Sequence, residues 1–149
     1  MTAVHTAIGD AIEAAITGLP DVGKVIRGAV LPVDVMASSD SATVGIEFGA
    51  LDPEDKTGQS YAGAWDGLLE VNLDVYWVGP PAVWETRIFE ASTAVWRAVM
   101  QMTLPARALE VQALGHDRLE RNTDGDNQHV VLRNRYAFRV RYSLTDPEA

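Results

Sequence analysis

In residues 133–142, RNRYAFRVRY, Arg133, Arg135, Arg139 and Arg141 alternate with Tyr136, Phe138, Val140 and Tyr142. A helix would scatter these side chains around its circumference. A strand, whose side chains alternate with a period of two, sorts them into one apolar and one cationic face. No other feature constrains the fold as strongly. A strand that is dry on one side and charged on the other belongs to a sheet with one face on a core and one in water, which is how antiparallel sheets are built.

The same period recurs upstream. In GLLEVNLDVYWVG, Leu69, Val71, Leu73, Val75 and Trp77 alternate with Glu70, Asn72, Asp74 and Tyr76, and in SATVGIEFGAL, Val44, Ile46 and Phe48 alternate with Gly45, Glu47 and Gly49. A shorter stretch at 23–29 reads as a strand whose glycines count against it. ALEVQALGHDRLER and VVLRNRYAFRVRYSL flank the polar run NTDGDNQH, where Asp124-Gly125 supplies turn chemistry for a hairpin.

Two segments carry the helical period instead. Val4, Ile8, Ala11, Ile12, Ala15 and Ile16 predict a helix over about 3–17, closed by Gly18 and Pro20. Pro80 and Pro81 stop the strand before them and suit the first turn of a second helix over about 82–102. Its stripe is Trp84, Ile88, Ala91, Val95, Val99 and Met102, with Phe89, Trp96 and Met100 on a flank that widens the apolar surface beyond what one sheet face covers. The expectation is one α+β domain spanning 1–149, a mainly antiparallel sheet of about four to five strands packed against both helices.

Charge and composition narrow the partners. With 12 basic against 21 acidic residues, the net charge of −9 speaks against a phosphate-binding surface. The absence of cysteine excludes disulfides and thiolate metal sites. The opening MTAVHTAIGDAIEAAITGLP lacks a basic n-region and carries Asp10 and Glu13, so no export signal is expected. No run approaches the roughly 20 apolar residues that span a bilayer, and a soluble chain without a membrane partner is expected.

Chemistry-bearing patterns are sparse. His5, His116 and His129 share no ligand spacing, and neither a nucleophile elbow, a dinucleotide-binding glycine pattern nor a P-loop is present. Asp124, Asp126 and Asn127 look like a fragment of a calcium loop, yet the remaining ligands are missing and the same residues are ordinary turn composition. A cleft beside Trp65 and Trp77 would suit a ligand, but no polar constellation converges there. The expectation is a protein that is no enzyme, with no catalytic residues, cofactor or metal.

The arginine row has two readings. If the strand at 69–77 lies beside it, Glu70 and Asp74 pair with arginines across the sheet, although exposed pairs contribute only ~0–1 kcal/mol each. Alternatively the row meets an acidic surface of another copy, because arginine is enriched where subunits meet and binds carboxylates through two parallel hydrogen bonds. Arg133, Arg135, Arg139, Arg141, Glu70 and Asp74 are therefore candidates for a subunit interface, in cis or in trans, with Trp96 and Met100 as a second set.

The order of segments carries a resemblance. The strand LLEVNLDVYWVGPP running into a helix that opens VWETRIFEA, then LGHDRLERNTDGDNQ, then the closing YAFRVRYSL together resemble the tail terminator proteins of lambda-type long-tailed phages, also called minor tail protein U or tail completion proteins, over most of the chain. The region around MTLPARALEVQAL and the terminal TDPEA depart from the family's pattern. The resemblance implies a ring, a hexamer in that family, which caps the finished tail tube, stops its polymerisation and offers the surface to which the DNA-filled head attaches. Its partners would be further copies of itself, the tail tube protein and a head-tail connector protein. It would sit at the tail-head junction of a virion assembled in the host cytoplasm.

DNA would pass through the lumen without specific binding, which suits an acidic chain that repels phosphate. Polar segments at 50–66 and 120–129 are then the expected docking loops, ordered only on binding, with Asp52, Glu54, Asp55, Lys56, Gln59, Tyr61, Arg121, Asp124 and Asp126 as contacts. Another neck, connector or tube-related structural protein is the alternative.

Overall fold

The computed structural model describes residues 3–28, 41–53 and 64–143. The two segments with the clearest alternation, β3 (Ala64–Gly79) and β5 (Asn127–Ser143), lie side by side as an antiparallel pair. Their register is unbroken, from Ala64 opposite Ser143 to Gly79 opposite Gln128. A single slip would send every side chain to the wrong face, so this constant register is what collects Leu69, Val71, Leu73, Val75 and Trp77 with Tyr136, Phe138 and Val140 on one side.

Around this pair the sheet is completed by β1 (Val22–Arg27), β2 (Ala42–Pro53) and β4 (Ala108–Asp124), in the order β1-β2-β3-β5-β4. Only β1 and β2 run parallel. Two helices, α1 (Val4–Ile16) and α2 (Trp84–Gln101), make it an α+β fold with a five-stranded mixed sheet, close to what the two periods predict. No helix among the described residues is long and apolar enough to cross a membrane.

Local chemistry places both helices. Pro80 is extended and Pro81 opens a 3-10 turn, Pro81–Val83, that feeds α2 without wasting a backbone donor. Glu85 in the first turn of α2 complements the helix dipole. The helix buries Ile88, Ala91, Ser92, Val95 and Val99, a stripe at spacings of three and four. In α1, Val4, Ile8, Ile12 and Ile16 do the same, and Gly9 leaves room for the Arg27 side chain of β1: a β-carbon there would stand 2.9 Å from Arg27 Cζ and 3.2 Å from Phe48 Cζ. The core is the layer between these stripes and one sheet face, with Trp77, Tyr136 and Phe138 its largest members.

Three expectations change. The cleft beside Trp65 and Trp77 is not formed by Trp77, which is 1% exposed and belongs to the core; the side chain of Trp65 lies outside the described residues. The polar run at 120–129 is no loop: β4 reaches Asp124, β5 starts at Asn127, and the chain reverses through Gly125 and Asp126, with Gly125 at φ +61°. Pairing with β5 satisfies that backbone whatever its side chains are, so polarity was no sign of disorder. The segment at 50–66 is likewise shortened from both ends by β2 and β3, and Glu54, Asp55, Lys56, Gln59 and Tyr61 lie outside the described residues.

The edge strand β4 is irregular. Its register against β5 shifts between Ala108 and Glu110, between Ala113 and Gly115, and between Asp117 and Glu120. Positive φ angles at Gly115 and Arg118, +104° and +52°, accompany the second and third shifts. Bulges of this kind twist an edge so that it does not offer a continuous ladder to another strand.

Candidate assembly surface

On the sheet face turned away from the helices, the arginine row of β5 lies between the carboxylates of β3 and β4. Arg133 and Asp74 are directly opposite, and the guanidinium donates from Nε and Nη2 to Oδ1 and Oδ2 at 2.8 and 3.0 Å. Glu47 of β2 stands 3.7 Å from the same guanidinium. Arg141 grips Asp66 in the same two-pronged way at 2.8 and 3.1 Å, with Arg139 at 3.9 Å from that carboxylate. Arg135 donates to Glu70 at 3.1 Å and has Asp117 at 4.0 Å.

Every arginine of the row thus has a carboxylate partner in its own chain, as the cross-sheet reading expects. Asp74, only 3% exposed, tolerates burial because the Arg133 fork and Arg118, 3.6 Å away, surround it with positive charge. The hydrogen bonds to Asp74 push the Arg133 guanidinium up in pKa against the cost of its partial burial. At the other end, the hydrogen bond from Arg141 holds the Asp66 carboxyl below its usual range. Glu70 and Asp74 thus pair with the row within the chain.

Apolar surface is concentrated elsewhere. Among the described residues, eight large hydrophobic side chains are exposed, and five of them belong to α2 and β4: Phe89 37%, Trp96 43%, Leu109 42%, Leu114 42% and Leu119 48%. Trp96 is exposed as its helical position predicts, whereas Met100 is half-buried against the core and offers less surface. The three leucines were missed by periodicity, because each falls at one of the register shifts of β4. A signal was present: Leu109, Val111 and Ala113 alternate, then Leu114 breaks the phase just before Gly115.

Between α2 and β4 a cavity of about 340 Å³ is lined by Thr93, Trp96, Ala113, Gly115, His116 and Tyr136, among others. Beside it the wholly buried Ser92 donates its hydroxyl proton to Asn134 Oδ1 at 2.7 Å and lies 3.3 Å from His116 Nε2. An activated serine donates to its base, and that base is oriented by a third group. Here the hydroxyl is shared with the Asn134 amide, and no carboxylate among the described residues bonds His116 to orient it. The trio is a polar clip holding α2 to the sheet.

The remaining candidates are dispersed. His5 meets Phe48 edge-on at 5.9 Å. Arg121, at the exposed end of β4, stacks over the Trp84 ring at 4.5 Å, so its guanidinium is engaged within the chain and ties the hairpin end to the start of α2. Asp126 is exposed in the turn, Asp52 is exposed at the end of β2, and the side chain of Asp124 lies outside the described residues.

No family model matches the sequence, and no curated protein matches it. Among solved structures, the chain is similar to one from the virion of a native gene transfer agent particle, at 18% identity and a TM-score of 0.44, over 92% of this chain and 95% of that one. A second solved chain is similar at 17% identity and a TM-score of 0.35, over 90% of this chain and 94% of that one.

Proposed function

We propose that this chain is a structural virion protein that closes a ring on the completed phage tail tube, ends tube growth and presents the surface to which the head is joined. The observation that carries the reading is the division of the surface. The charged sheet face is satisfied within the chain, while exposed apolar side chains gather on α2 and β4. Concentrated apolar surface marks a site of assembly. The resemblance in LLEVNLDVYWVGPP, VWETRIFEA and YAFRVRYSL supplies which assembly it is.

A closed ring of identical subunits joins two different surfaces of each copy. The α2–β4 side is one. The other is the α1–β1 side, where Phe48 is exposed and Arg27 bridges Asp10 and Glu13. Arg139 and Arg141, the more exposed members of the row, extend the joint. An acidic lumen then lets DNA slide through without gripping phosphate.

Electron microscopy of particles made without the protein tests this. Overlong tubes are expected, and added protein should restore normal length. Normal-length tails lacking heads would assign the chain to a connector instead, and normal headed tails would reject a tail role altogether.

A further inference from the structure

Leu109, Leu114 and Leu119 stand five residues apart on the free edge strand, one at each break in its register. Equal spacing about a middle residue has a geometric consequence. Laid antiparallel against a copy of itself, such a strand presents the same pattern to its partner that it receives. With a two-fold axis at position 114, Leu114 meets its own copy, and Leu109 meets the partner's Leu119.

One charge pair follows the same symmetry, while just beyond the leucines the axis also sets Arg107 against the partner's Arg121. The axis that sets 109 against 119 sets 110 against 118, so Glu110 faces the partner's Arg118 on both sides of the centre. Both lie on the open face of the sheet: Glu110 is opposite Arg139, and Arg118 reaches Asp74 and Glu120 at 3.6 and 3.2 Å. Either residue exposes enough of its side chain to meet a second partner. At the centre, Ala113, Gly115 and His116 bracket Leu114 and line the cavity whose opposite wall is Trp96, so the axis falls beside the exposed aromatic of α2.

We propose that the free protein pairs with a second copy through β4, antiparallel and two-fold about Leu114. The bulges deny the neighbour a continuous backbone ladder, so side chains make the contact. The strip from 109 to 119 runs alongside about eight residues of β5, about 26 Å, and is one strand wide, so it covers far less than the roughly 1,600 Å² of a stable complex. The pair is therefore weak and reversible. It covers the leucines between synthesis and assembly, and a subunit entering a ring must release it. This inference goes beyond the tail role and stands without it.

The chain has no cysteine, so single introduced thiols report on the axis. With a short bis-maleimide, Leu114→Cys alone should give a covalent dimer. Leu109→Cys alone and Leu119→Cys alone should not, because two copies of either stand about 26 Å apart across the axis. A mixture of those two variants should cross-link. Equal yields from all three single variants, or none from Leu114→Cys, would overturn the proposal.

Sedimentation equilibrium supplies a second arm. Leu114→Glu should weaken pairing at least about tenfold, the effect of a charge placed on an apolar contact. Glu110→Arg should weaken it about threefold per contact, and adding Arg118→Glu should recover most of that. A double reversal that stays folded by circular dichroism, though it melts lower because Arg118 flanks the buried Asp74, and that pairs as weakly as the single one would refute the antiparallel register. Tube capping is scored separately: a dimer that fails to cap refutes the tail role alone, and a monomer that caps refutes the pairing alone.

Discussion

Beneath the helices, Trp77, Tyr136 and Phe138 are almost completely enclosed, while one residue along in each strand Trp77 gives way to Tyr76, and Phe138 to Arg139, on the opposite side of the same backbone. The dry face joins the sheet to both helices by burial, which is non-directional and scales with area. The open face joins β2, β3, β5 and β4 by ion pairs, which depend on register and are screened by water. Stability is therefore concentrated on one side, and the other side is made self-sufficient. Most of the exposed large apolar side chains among the described residues are left to α2 and the edge strand β4, which departs from both patterns.

The comparison breaks if the two faces weigh the same. Phe138→Ala should cost about 3–5 kcal/mol in urea unfolding, the usual cost of removing a buried aromatic. Asp74→Ala, the most buried position of the open face, should cost about 2–3 kcal/mol, below the full penalty for splitting a buried pair because Arg133 retains some contact with water and with Glu47. Equal losses would mean that the open face is as structural as the core.

Tyr136 sharpens the dry side. Its hydroxyl is buried with no hydrogen-bond partner among the described residues, and burial pushes the phenol pKa upward. Tyr136→Phe should be as stable as wild type or more stable by up to about 1 kcal/mol at neutral pH. The unfolded phenol releases its proton near about pH 10 while the folded one keeps it, so wild type loses stability as pH rises past that point. The variant should lose less in an alkaline melting series, and a parallel decline would show that the phenol is not held neutral by burial.

The smallest effect is at the exposed end of the row. Arg141→Ala should lower the melting temperature only slightly at pH 7, because the pair is exposed. The Asp66 carboxyl is depressed in the folded state, so its contribution is present above the unfolded value of about 3.9 and lost as pH falls below it. The variant should therefore lose less stability than wild type as pH falls below about 3.9, the two curves converging once Asp66 is protonated in both. An acid limb identical to wild type would show that Arg141 does not hold that carboxyl.

Legibility followed the range of the interaction. Alternation at 69–77 and 133–142 identified two strands and sorted their side chains, because the pleat is set by adjacent residues. The stripe of α2 was legible for the same reason. Strand ends were not: β3 begins at Ala64 and β4 runs to Asp124 through residues that look like loop, since a neighbouring strand satisfies their backbone. The exposed apolar surface was half legible. Trp96 followed from helical spacing, but the exposed leucines follow from bulges that appear only when β4 is laid against β5.

Taken alone, then, the order of residues determined the kind of each element, the face to which each side chain turns, and the presence of four arginines on one side of one strand, all consequences of covalent geometry over a few residues. Only the tertiary structure decided that Asp66, Glu70 and Asp74 stand against those arginines, that β1 runs parallel to β2, and where β4 slips. Those outcomes depend on register between segments separated by dozens of residues. Register is set by the joint packing of two faces and two helices, which no local pattern contains.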